Sequence, residues 1–140
     1  MKLKNESGRS MVEMLGVLAI IGVLSVGGIA GYTMAMKNYK ANEIINAASM
    51  LAIHTQTKQP PVSSLSYNTA FGLDANTPLP GGATSLYANY PSASSAVYIM
   101  FTASSNEICE EIVKKVGTTT TQTIYSEGGC QNGTSDIVFK

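Results

Sequence analysis

The chain has 140 residues, room for one domain with accessories. Its 9 Lys+Arg balance 9 Asp+Glu, so the formal net charge is +0 and the basic face needed for nucleic acid is not expected. Charged residues make up only 13%, about half the usual share, and with no Trp and 3 Phe a soluble part has few large core anchors.

Lys2, Lys4 and Arg9 stand ahead of a run, Met14 to Met36, that holds no charged residue. As a helix it spans roughly 34 Å, enough to cross the roughly 30 Å hydrocarbon layer. The short basic tail suits a cytoplasmic N-terminus, although Lys37 and Lys40 follow the run and keep the bias weak. Three readings compete. A secretory signal peptide has a shorter apolar core and no acidic residue at its start. A plain membrane anchor has no use for Glu13, because a carboxylate at the edge of an apolar helix costs free energy unless paired or near headgroups. The third reading is a segment cut ahead of the apolar run.

Gly8-Arg9-Ser10-Met11-Val12-Glu13, followed at once by that run, resembles the prepilin peptidase site of type IV pilins. In that family the peptidase cuts after the Gly, the new N-terminus is N-methylated, and a Glu stands fifth. The resemblance implies a leader of residues 1–8, cleavage between Gly8 and Arg9, methylation of Arg9 and an assembly role for Glu13. The stretch MLGVLAIIGVLSVGG closely resembles pilin and pseudopilin stems. The family's first mature residue is usually apolar; here it is Arg9. Once cut, the Arg9 α-amino group is cationic and can pair with Glu13 of a neighbouring subunit. In a low-dielectric filament core that attraction far exceeds its value in water. Many pilins carry Pro at mature position 22, which is Ala30 here. Gly16, Gly22, Gly27, Gly28 and Gly31 either supply the same flexibility or act as packing spacers.

Past Lys37, the residues Ala41, Ile44, Ile45, Ala48, Leu51 and Ala52 recur at three- and four-residue spacing. The stem helix therefore spans 9–57, transmembrane over about 14–36 and amphipathic beyond. Its apolar face must be buried, and a sheet made by the rest of the chain is the obvious partner. The single His, His54, reads as a surface residue. Pro60-Pro61 stops the helix. Residues 62–95 are rich in Ser, Ala, Asn, Thr, Gly and Pro and read mostly as ordered loop, with short strands near Leu65–Tyr67 and Ser85–Tyr90.

The head, 58–140, ends in a clearer pattern. Ala96–Ala103 reads as a buried strand, with Val97, Ile99 and Phe101 on one face. Ser104 and Glu107 form a capping-box pattern ahead of a helix over 105–116. Its apolar face is Ile108, Cys109, Ile112, Val113 and Val116, and Gly117 closes it. Thr118–Tyr125 reads as a strand, Gly128-Gly129 as a turn, and Asp136–Lys140 as a terminal strand. Cys109 and Cys130 permit one pairing. An exported domain would join them, and a cytosolic one would leave two buried thiols; the apolar segment favours export.

The expected fold is α+β: a long N-terminal helix packed on a small antiparallel sheet with an additional helix. The strand, the Ser-x-x-Glu-Ile-Cys helix and the late Gly-Cys…Val-Phe resemble type IVb pilins. That resemblance implies a homo-oligomeric helical filament and, as partners, prepilin peptidase, an inner-membrane assembly platform and membrane lipid before assembly. It implies an inner-membrane precursor with its head outside the cytoplasm, then a place at the cell surface. Two alternatives stand beside it: a type II secretion pseudopilin, and a membrane-anchored binding module that never polymerises. No nucleophile–base pair, metal-ligand set or phosphate loop appears, so neither enzymatic activity nor a cofactor is expected.

Overall fold

A computed structural model describes residues 2–57, 64–91 and 95–140, with side chains from residue 10 onward. The Pro60-Pro61 helix stop lies outside the described residues. The chain divides into two compact units, Met1–Met36 and Lys37–Lys140. Helix α1 (Lys2–Thr57) supplies the first unit and one layer of the second.

The second unit is α+β. A five-stranded antiparallel sheet has the order β1-β2-β3-β5-β4. The strands are β1 (Ser64–Ser66), β2 (Ser85–Asn89), β3 (Val97–Thr102), β4 (Ile124–Tyr125) and β5 (Thr134–Phe139). A short helix α2 (Tyr67–Ala70) follows β1, and α3 (Asn106–Val116) follows β3. β3 is central: Ile99 lies opposite Ala88 on one side and Ile137 on the other, and Phe101 opposite Leu86 and Ser135.

Alternation along β3 gives the sheet a dry face. Val97, Ile99 and Phe101 are fully buried there, with Leu86, Ala88 and Ile137 beside them. The helical layer meets this face through Ala41, Ile44, Ala47, Ala48, Leu51 and Ala52 of α1, and through Ile108, Cys109 and Ile112 of α3. Alanines make up much of the α1 face in this core. Larger anchors fill the space between, each contributing about 1.5–3 kcal/mol by leaving water. Ile45 is half-buried at the margin of this core.

The opposite sheet face is mixed. Ala96, Tyr125 and Val138 form a small second cluster there, with Tyr98 against it. A row of hydroxyls crosses three strands: Ser85 donates to Thr102 at 2.8 Å, and Thr102 and Thr134 share a hydrogen bond at 3.0 Å. Such cross-strand pairs hold register as well as contributing a few tenths of a kcal/mol, about 0.2–1 each.

Local details depart from the sequence reading in three places. The α3 cap is Ser105, whose hydroxyl accepts from the Ile108 N–H; the Ser104/Glu107 pattern is out of step by one residue. Glu107 instead pairs with Lys37 of α1. Residues 118–123 form a turn, with Gln122 N–H donating to Thr119, and only Ile124–Tyr125 is strand. Their β-branched side chains are exposed and meet no core face, so propensity alone does not make a strand of them. His54 is half-buried, its ring 5.3 Å from that of Phe71.

Candidate functional site

The candidate site in the first unit is a helix surface. Its backbone is helical through Gly8, Arg9 and Glu13, and through Gly27, Gly28 and Ala30. Every residue from Ser10 to Ala35 is exposed. Val12, Val23 and Val26 are 70%, 74% and 71% accessible. The best membrane-length window in Ser10–Thr57 has mean hydropathy 2.2 and none of it is buried within the chain. An apolar surface of this length is not stable against water, so it needs lipid or another protein.

Polar groups within that surface are few and internally satisfied. The Ser25 hydroxyl donates to the Ile21 carbonyl at 2.7 Å, and Thr33 to Ala30 at 2.9 Å. Hydroxyls bonded to their own helix enter a hydrocarbon layer at reduced cost. Glu13 is different. Its carboxylate is exposed, and among the described residues nothing pairs with it. The five glycines of the run have open space where a side chain would stand. Gly27 and Gly31 lie four apart, the spacing that makes a smooth strip for a second helix.

In the second unit, Cys109 on α3 and Cys130 ahead of β5 lie at disulfide distance, with Cα atoms 5.9 Å apart. The link would tie the core helix to the loop that launches β5. That loop has its own organiser: Asp136 Oδ1 accepts the Gly128 N–H at 2.9 Å and the Ser126 hydroxyl at 3.4 Å. Asn106 completes the end of the hairpin, its Oδ1 accepting from the Gly133 N–H at 3.1 Å. Tyr125 donates to Glu127 at 3.1 Å. Burial first, then the Glu127 carboxylate, push this phenol above its usual range.

Among the described residues no group of three His, Cys, Asp or Glu is placed to hold a metal ion. Glu110 and Glu111 are on α3 with Lys114 and Lys115, and Lys115 donates to Asn42 of α1 at 2.8 Å. Three residues that position loops carried no sequence signal: Glu43, which accepts from Gly81; Asn68, which donates to the Thr77 carbonyl; and Asp136. Each acts through contacts set by tertiary folding. No family model, curated protein or solved structure matches this chain.

Proposed function

We propose that the chain is a structural subunit of a type IV pilus-like filament, made as a membrane-held precursor and polymerised through its N-terminal helix. The observation that carries this reading is the exposed, charge-free helix surface directly behind Gly8 and Glu13. The membrane holds residues 14–36 before assembly. Prepilin peptidase removes residues 1–8 and leaves Arg9 as a cationic N-terminus.

Assembly then exchanges lipid for neighbouring helices. Lipid tails are as apolar as leucine, so hydrophobicity does not drive that exchange; close packing and specific polar pairs must. The glycine strip supplies close packing. Glu13 supplies the polar pair, since a neighbour's α-amino group satisfies it and both groups escape an uncompensated burial. An incoming subunit placed out of register would leave Glu13 unpaired, so the contact selects the axial step.

The cysteine pair favours a pilin over a major pseudopilin, since major pseudopilins usually lack a C-terminal disulfide and carry a calcium site in the last loops; here Asp136 stands near that position with its carboxylate engaged in holding its own loop. The function is structural, without a catalytic centre or cofactor. The test is expression of the full chain with a prepilin peptidase and an assembly platform, followed by shearing and electron microscopy. Thin filaments containing the chain are expected. A chain that stays wholly in the membrane fraction as a monomer contradicts the reading.

A further inference from the structure

The chain reverses into β5 through a tight turn, Asn132-Gly133, closed on either side by Gln131 and Thr134. The backbones of that closing pair exchange two hydrogen bonds, each 3.0 Å. Asn132 has φ of 51° and Gly133 of 79°, the paired positive values that such hairpins require and that Asn-Gly supplies best. Asn132 is exposed, whereas Gly133 is buried. Asn132 is also the only asparagine in the chain that is followed by glycine.

That dipeptide has a chemical liability. The side-chain carbonyl of an asparagine lies within reach of the next residue's backbone nitrogen, and a side chain on that residue hinders the attack. Glycine has none. The state of the Gly133 nitrogen therefore decides what happens. Its N–H donates to Asn106 Oδ1 at 3.1 Å. Asn106 is itself oriented, because its Nδ2 donates to Glu110 at 3.0 Å. The Gly133 carbonyl accepts from the Ala103 N–H at 2.8 Å, which fixes the other end of the same residue. An amide nitrogen must give up its proton to become a nucleophile. The Asn106 contact and the burial must therefore open first, and such local openings have their own free energy.

We propose that Asn132 is a site of spontaneous conversion to aspartate and isoaspartate, and that Asn106 restrains the reaction by holding the Gly133 N–H. Once the turn opens, the Gly133 nitrogen loses its proton to hydroxide and bonds to Asn132 Cγ. The Cγ–Nδ2 bond breaks, and Nδ2 takes a proton from water and leaves as ammonia. A cyclic imide remains. Water opens it at either carbonyl. Opening at the former side-chain carbonyl leaves aspartate; opening at the main-chain carbonyl leaves isoaspartate, with an extra carbon in the main chain. Either product exchanges a neutral amide for a carboxylate. The isoaspartate also lengthens the turn, so Gln131 and Thr134 lose their register. Asn106 is a positioning residue: it forms no bond in the reaction.

The test incubates the full chain in dodecylphosphocholine micelles at mildly alkaline pH. Peptide mass spectrometry follows the amide-to-acid change at Asn132, and labelling by an isoaspartyl methyltransferase identifies the isoaspartate. A peptide of residues 131–136 sets the unrestrained rate, and the folded chain should convert more slowly. Asn106→Ala should raise the folded rate severalfold, up to about tenfold, the factor carried by one net hydrogen bond. Hydrogen exchange at the Gly133 amide should rise by the same factor, because both reactions pass through one opening. Asn106→Asp keeps an acceptor oxygen and should stay near the wild-type rate. Gly82→Ala lowers stability away from this turn and should leave the rate unchanged. Equal rates in the wild type and Asn106→Ala overturn the proposal. So does a Gly82→Ala rate that matches Asn106→Ala, or no product at Asn132 in Asn106→Ala after the peptide has fully converted.

Discussion

The Glu43 carboxylate accepts the backbone N–H of Gly81 at 2.9 Å, joining α1 to a turn 38 residues further along the chain. The turn is pressed so close that a Cβ on Gly81 would stand 2.5 Å from the Lys40 carbonyl oxygen and 2.6 Å from Ile44. Gly81 also has φ of 65°. Backbone approach, left-handed conformation and a half-buried carboxylate contact thus coincide at one residue.

Gly81→Ala should therefore lower stability by about 2–4 kcal/mol, from the left-handed penalty and overpacking together. Gly82→Ala is the control. It shares a positive φ of 68° but has open space around it, so about 1–2 kcal/mol is expected. Urea unfolding of the two variants in micelles measures the difference. Equal costs would mean that the close approach to α1 contributes nothing.

Glu43→Ala leaves the Gly81 N–H buried without its acceptor and should cost about 1–3 kcal/mol. Glu43→Gln keeps an acceptor oxygen and should recover most of it. The same unfolding assay separates the two.

The cysteine pair closes a loop with a sequence separation of 21. In the chain-entropy model such a bond stabilises by about 3 kcal/mol. Reduction, or Cys130→Ser, should lower stability by that amount. Intact mass after alkylation without reductant should show no added groups. Two alkylated thiols in the untreated protein would mean that the bond does not form.

Alkaline stability should carry the signature of Tyr125. Its phenol is raised above the ordinary 10.0 by burial and by Glu127. The folded state then holds its proton after the unfolded state has lost it. Stability is full below pH 10.0 and falls as pH rises through the folded-state value. Tyr125→Phe should flatten this fall in thermal melts taken above that pH. An unchanged slope would assign the alkaline loss elsewhere.

Glu13→Ala and Glu13→Lys should still insert and fold, because in the single chain the carboxylate touches no described partner. Both should abolish filaments. Normal filament yield from either variant would remove Glu13 from the assembly contact.

Much of this architecture is written locally. Val97, Ile99 and Phe101 alternate, and the structure buries all three. The three- and four-residue spacing from Ala41 to Ala52 names the helix face that meets the sheet. Gly117, at φ 85°, closes α3 where expected. β1 and β2 fall close to the short strands expected near Leu65 and Ser85. What was not legible is set by pairs distant in sequence. Ser104 carries the capping-box spacing to Glu107, yet Ser105 is the cap and Glu107 pairs with Lys37 of α1, a residue far earlier in the chain that no local pattern names. Glu43 looks like a solvated helix residue until Gly81 arrives. Asn68 sits in a polar stretch with no periodicity, and its burial appears only when residues 75–77 fold over it. The head loops therefore hide the residues that position them, whereas the N-terminal helix displays its candidate surface openly.

The most direct measurement is the N-terminal residue and intact mass of the mature protein from the cell envelope. The filament-subunit account predicts a chain beginning at Arg9, with or without a methyl group on its amine, and the mass of one disulfide. A chain beginning at Met1 would contradict it and leave a membrane-anchored domain that keeps its N-terminus and does not polymerise.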